Sequence, residues 1–145
     1  MAGIVIADTL QADSTSTLVL KNGVASTPPT VQDSAGTQIG TFCRAWVNFN
    51  GTTVTNPASL TGVRGSFNVT SILDNGVGDY TVNFTTAMPD ANYSCVISIS
   101  NSASNTTITQ IKSSTTPTTS LVRLACVNAG AAVVDPDYVN VAIFR

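Results

Sequence analysis

FNVTSILDNGVGDYTVNFTTAMPDANYSC, residues 67–95, reads as two extended segments joined by a tight reversal. Tyr80, Val82 and Phe84 alternate with Thr81, Asn83 and Thr85, the division that a half-buried antiparallel strand requires. Between the segments, Asn75-Gly76 offers two residues that tolerate positive φ, a strong local signal for chain reversal. Besides tyrosine and cysteine, the only ionisable groups in the stretch are Asp74, Asp79 and Asp90. Asp74 and Asp79 flank the loop and with its carbonyls would suit calcium, which takes six or more oxygens. Aspartate also hydrogen-bonds its own turn, and the reading favoured here is a plain hairpin in which both carboxylates tolerate replacement by asparagine.

The same period-2 alternation extends outward from this hairpin. Residues 41–50, 66–73, 80–85, 93–100, 106–112, 120–127 and 138–144 are expected strands, with a further short one near 52–55. Asn50-Gly51, Asn56-Pro57, Met88-Pro89-Asp90, Thr116-Pro117 and Asp135-Pro136 separate them. Seven or eight short strands at this spacing argue for an all-β domain, an antiparallel β-sandwich or jelly roll. Within 41–50, Phe42, Arg44 and Trp46 share the face opposite Cys43.

Composition agrees and excludes several function classes. Of 145 residues, 37 are serine or threonine and 17 are valine, which favours strands over helices. Charged residues make up only 10%, against about a quarter in ordinary domains. The chain has no histidine and every acidic residue is aspartate, so Ser-His-Asp and Cys-His nucleophile arrangements are excluded and no catalytic residues are assigned. A net charge of −2, with six scattered basic residues, gives nucleic acid no footprint. No apolar run approaches the length of a membrane span. The Gly-x-Gly at 76–78 precedes no helix and so lacks the row of free N–H groups that would cradle a phosphate. No cofactor is expected.

Cys43, Cys95 and Cys126 alternate with apolar residues, which sets all three on inward faces as small hydrophobes. Cys95 and Cys126 can pair if their strands are neighbours, but an odd cysteine set without an export signal reads as a protein made in a reducing cytoplasm. No C-x-x-C pair supports a metal site. Asn50, Asn68, Asn83, Asn92 and Asn105 head Asn-x-Ser/Thr triplets, hardly more than chance in so Asn-, Ser- and Thr-rich a chain. Trp46, Tyr80, Tyr93 and Tyr138 can form either a sugar-stacking surface or, as aromatics in strands more often do, core and interface.

Residues 1–39 differ from the rest. Ile4, Val5 and Ile6, with Leu10, and then Leu18, Val19 and Leu20 form apolar bursts among Ser/Thr tracts. They are too few to close a core and too apolar for a solvated tail. Two organisations fit: an N-terminal docking arm ahead of a sandwich at 40–145, or an opening hairpin of the same domain. As an arm, these seven residues are the candidate assembly interface.

CRAWVNFNGT (43–52) followed by VRGSFNVTSILDNGVGDYTVNFTTAMPDANYSC (63–95) resembles a module common in structural proteins of tailed bacteriophages, and MAGIVIADTLQADS resembles the short leaders that precede it. The resemblance is dense over 43–95 and looser over 96–145, where only the strand rhythm agrees. It implies a non-enzymatic virion protein: a tail fibre or appendage component, or a capsid decoration (cement) protein, often homotrimeric and bound to other virion proteins. It implies assembly in the host bacterial cytoplasm. The alternative from a different class is a lectin-like module recognising host-surface glycans.

Overall fold

A computed structural model describes residues 31–101 and 107–145. These residues form ten strands and no helix: β1 (Val31–Gln32), β2 (Gln38–Gly40), β3 (Cys43–Phe49), β4 (Val63–Phe67), β5 (Val69–Gly76), β6 (Asp79–Phe84), β7 (Ser94–Ser100), β8 (Thr107–Ile111), β9 (Leu121–Asn128) and β10 (Tyr138–Phe144). Eight of them build two antiparallel four-stranded sheets, ordered β4-β3-β10-β7 and β5-β6-β9-β8. The all-β antiparallel sandwich is the architecture expected from the alternation.

Inward-facing positions of the two sheets meet in one core. Ala45, Val47, Phe49, Val139, Val141 and Ile143 come from the first sheet; Ile72, Tyr80, Val82, Phe84, Val122, Leu124 and Cys126 come from the second. Phe49 and Tyr80 bridge the layers edge to face, with ring centroids 5.3 Å apart. Such a contact adds about 0.5–1.5 kcal/mol beyond the area it buries.

Residues 66–73, read as one strand, are two strands in different sheets. Asn68 separates them with φ of 55°, in the left-handed region, which Asn tolerates better than most residues. Its amide holds the corner, donating to the carbonyls of Arg44 and Thr86 at 3.0 Å each and accepting from the Thr86 N–H at 2.7 Å. The corner also reverses the expected parity, since Phe67 is exposed while Val69 is buried.

Residues 52–55 form no strand. The Asn50 side chain accepts from both the N–H and the hydroxyl of Thr52, which closes a turn there, and Val54 drops into the core. Val31–Gln32 and Gln38–Gly40 form a two-stranded hairpin of their own, hydrogen-bonded to neither large sheet. Asp33 closes it by accepting from the N–H groups of Ala35 and Thr37. Ile4, Val5, Ile6, Leu10, Leu18, Val19 and Leu20 lie outside the described residues.

Candidate functional site

In the 74–79 hairpin the two aspartates have different partners. Asp74 accepts from the N–H of Gly76 at 2.8 Å, a local cap of the turn. Asp79 lies on the outward face of its sheet, where Arg123 Nε and Lys112 Nζ reach its two oxygens at 2.7 and 2.8 Å. The Arg123 hydrogen bond is the main cause holding the Asp79 carboxyl below the usual aspartate range, against the opposing effect of burial. Gly78, with φ of 67°, packs against the backbone of Cys126 and Val134, and its N–H donates to Asp135 at 2.7 Å.

Four consecutive residues from Asp79 to Val82 are buried, more than simple alternation predicts. Thr81 is covered on the outward face, where the Asn75 amide donates to its hydroxyl at 2.9 Å. Among the described residues, no group of three or more cysteines and aspartates is placed to hold a metal ion. Cys95 and Cys126 are both free, and their strands stand in opposite sheets. Cys126 is buried, whereas Cys43 and Cys95 are half-buried.

The four aromatics considered for a surface divide evenly. Tyr80 and Tyr93 are buried; Trp46 and Tyr138 are 43% and 48% exposed on the outward face of the β4-β3-β10-β7 sheet. That face is organised in rows across its strands. Phe67, Trp46, Ala142 and Val96 stand opposite one another in an apolar row. Two residues along, Gly65, Asn48, Asn140 and Ser98 form a polar row. The Trp46 indole lies over Gly65, where even a methyl group would approach the ring to 3.3 Å. Glycine thus allows the ring to lie down towards the polar row.

The polar row is a directed chain of hydrogen bonds. Arg64 donates to Asn48 Oδ1 at 3.3 Å, Asn48 Nδ2 donates to Asn140 Oδ1, and Asn140 Nδ2 donates to Ser98 Oγ at 3.3 Å. Arg64 is itself held by stacking 4.0 Å over the Tyr138 ring and by donating to the Asp137 carbonyl at 2.7 Å. Between the rows runs an open groove of about 360 Å³, lined by residues that include Trp46, Asn48, Val96, Ser98, Asn140 and Ala142. An exposed indole beside fixed, uncharged hydrogen-bonding groups is suited to reversible binding.

The alternation Trp46, Asn48 in the sequence identifies two outward residues of this face. It does not reveal that Asn140 and Ser98 stand beside them, because those residues come from strands far along the chain.

No protein-family model matches the chain. No curated protein matches it. Among solved structures it is similar in fold to the phiAB6 tailspike, determined in complex with three-repeated oligosaccharides of Acinetobacter baumannii surface polysaccharide, at 14% identity and a TM-score of 0.45. The match covers 90% of this chain and 31% of the tailspike chain.

Proposed function

We propose that the chain is a non-enzymatic structural protein of a tailed-phage virion, acting through surface contacts as an appendage or fibre component. The observation that carries this reading is the outward face of β4-β3-β10-β7, where Trp46, Phe67 and Val96 are exposed in one row across the sheet. Large aromatics at the centre of a patch are the usual anchors of an interface. Five of the six described aspartates support the non-enzymatic part: Asp33, Asp74, Asp79, Asp90 and Asp135 each accept hydrogen bonds that shape turns, strands or the core. The segments that resemble the phage module, 43–52 and 63–95, supply β3 to β6 and the start of β7.

In this reading the assembled form is a homotrimer, and residues 1–39 with Ile4, Val5, Ile6, Leu10, Leu18, Val19 and Leu20 supply the docking arm. Light scattering on the full chain tests the trimer. Co-sedimentation with particles lacking the protein tests attachment. Replacing Leu18, Val19 and Leu20 by serine should abolish attachment while leaving the melting temperature unchanged. Attachment to heads rather than tails would make the protein a capsid decoration protein. Failure to attach to either part would overturn the virion reading.

A second reading, a glycan-binding module, is favoured by one specific observation: the Trp46 ring lies beside the Asn48–Asn140–Ser98 chain.

A further inference from the structure

The Trp46 groove combines two kinds of surface within one side chain's reach. The indole, lying over Gly65, offers a flat apolar shelf. Beside it, Asn48 and Asn140 are already oriented by their bond to each other and by bonds from Arg64 and to Ser98. A primary amide has two N–H donors and two acceptor positions, so the cross-strand chain leaves Asn48 and Asn140, both of which line the groove, with further hydrogen-bonding capacity. Side chains that are held in place before binding lose less freedom when a ligand arrives.

A protein partner and a sugar would use this face differently. The core of a protein interface is more apolar than its polar rim. Here the polar row forms part of the groove itself, next to its largest aromatic. A pyranose ring presents an apolar C–H face and an edge of hydroxyls, each both donor and acceptor. The shelf matches the first and the paired amides match the second. None of the residues lining the groove is ionised. Of the two cations near the groove, Arg64 is engaged by Tyr138, Asp137 and Asn48, and Arg44, on the same strand face as Trp46, is likewise not free. The groove's volume of about 360 Å³ lies at the small end of ligand sites, which run from roughly 300 to 1,000 Å³.

We infer that the groove is a binding subsite for an uncharged pyranose unit of a glycan, with Trp46 stacking on the ring and Asn48, Asn140 and Ser98 bonding its hydroxyls. This deepens the surface-contact reading, on which it rests, by giving that face a ligand.

Trp46 is the only tryptophan in the chain, so its emission reports the groove directly. The full-length protein is titrated with glucose, galactose, N-acetylglucosamine, cellotriose and maltotriose, with glucuronic acid as the charged comparison. Binding is followed by fluorescence and by saturation-transfer NMR. At least one neutral sugar should shift the emission. Asn140→Leu should weaken its binding about three- to tenfold, the loss expected for neutral hydrogen bonds to a ligand, without lowering the melting temperature. Trp46→Ala should remove the saturation-transfer signal.

The inference is overturned if no neutral sugar in the panel binds, if glucuronic acid binds as well as the neutral sugars, or if Asn140→Leu leaves affinity unchanged. Particle co-sedimentation of the same variants separates the two levels. Loss of attachment by Trp46→Ala without any sugar binding would make a protein the occupant and leave the virion reading intact. Sugar binding by a chain that joins no particle would uphold the subsite and remove the virion reading.

Discussion

The hydroxyl of Tyr80 donates to Oδ1 of Asp135 at 2.5 Å, joining the middle of the second sheet to the loop ahead of the last strand. The same carboxylate oxygen accepts from Gly78 N–H at 2.7 Å, and the phenol also reaches the Gly51 carbonyl at 3.2 Å. One buried side chain thus ties together the 51, 78 and 135 loops at one end of the sandwich. Tyr80→Phe leaves Asp135 short of a donor, and the expected cost is about 1–3 kcal/mol. For a domain of this size that lowers the melting temperature by roughly 2–4 °C per kcal/mol, measurable by calorimetry.

The pH dependence has a definite sign. Burial first, then the Asp135 hydrogen bond, pushes the Tyr80 phenol far above its ordinary value near 10, and burial pushes Tyr93 up to about 12. Both phenols therefore keep their protons in the folded chain after the unfolded chain has lost them. Their contribution is complete below about pH 10 and drains as pH rises above it. Tyr80→Phe should flatten the alkaline limb of a stability–pH curve. An unchanged slope above pH 10 would contradict this account of Tyr80.

Asp79 should govern the acid limb. With its carboxyl held below the ordinary value of 3.8, mainly by Arg123, its contribution is complete above about pH 4 and is lost as pH falls through the folded value. Asp79→Asn leaves Arg123 and Lys112 facing each other without a counter-charge and should cost roughly 1.5–3 kcal/mol at neutral pH. Asp74→Asn keeps an oxygen for Gly76 N–H and should be nearly neutral. The two aspartates, which look equivalent on either side of the loop, are therefore distinguishable by parallel urea titrations of the two variants.

The two loop glycines should also differ. A Cβ at Gly76 would meet nothing within 4 Å, so Gly76→Ala pays only for its φ of 128°, of order 1–3 kcal/mol. A Cβ at Gly78 would sit 2.4 Å from the Cys126 carbonyl oxygen and 2.9 Å from that of Val134. Both are backbone atoms of the core end of the sandwich and cannot swing aside. Gly78→Ala should be clearly the more damaging, read by comparing the denaturation midpoints of the two variants.

Thiol chemistry should be slow. Burial raises both Cys95 and Cys126 to about 11, so at neutral pH almost none of either is thiolate, the reactive form. In a Cys43→Ser background, a disulfide reagent at pH 7 should label Cys126 only as fast as the chain unfolds. Rapid labelling of Cys126 under native conditions would show that its strand opens locally.

Much of the fold was legible along the chain. Alternation in 43–49 and 79–84 separates inward from outward positions, because successive side chains on a strand point to opposite faces, although the outward Asp79 and Thr81 are then covered by neighbours. The absence of histidine removes whole classes of catalysis without any coordinates. The reversal between β5 and β6 falls inside the expected 74–79 stretch but two residues later than Asn75-Gly76: these end β5, the turn itself is Val77-Gly78, and Gly76 and Gly78, not Asn75, take positive φ. Alternation does not say which sheet a strand joins. Residues 66–73 kept a continuous rhythm, yet one left-handed Asn68 carries the chain from one layer to the other.

Only the tertiary structure decided which outward residues become neighbours. Asn48 and Asn140 are 92 positions apart in sequence and are joined because β10 pairs with β3 on one side and β7 on the other. The same long-range pairing sets Arg123 opposite Thr81 and beside Asp79, burying what alternation alone marks as solvent-facing. Local sequence specifies the direction of each side chain, since that depends on the dihedrals of a few residues. The composition of a face depends on sheet order, which is set by how distant apolar strands share one core.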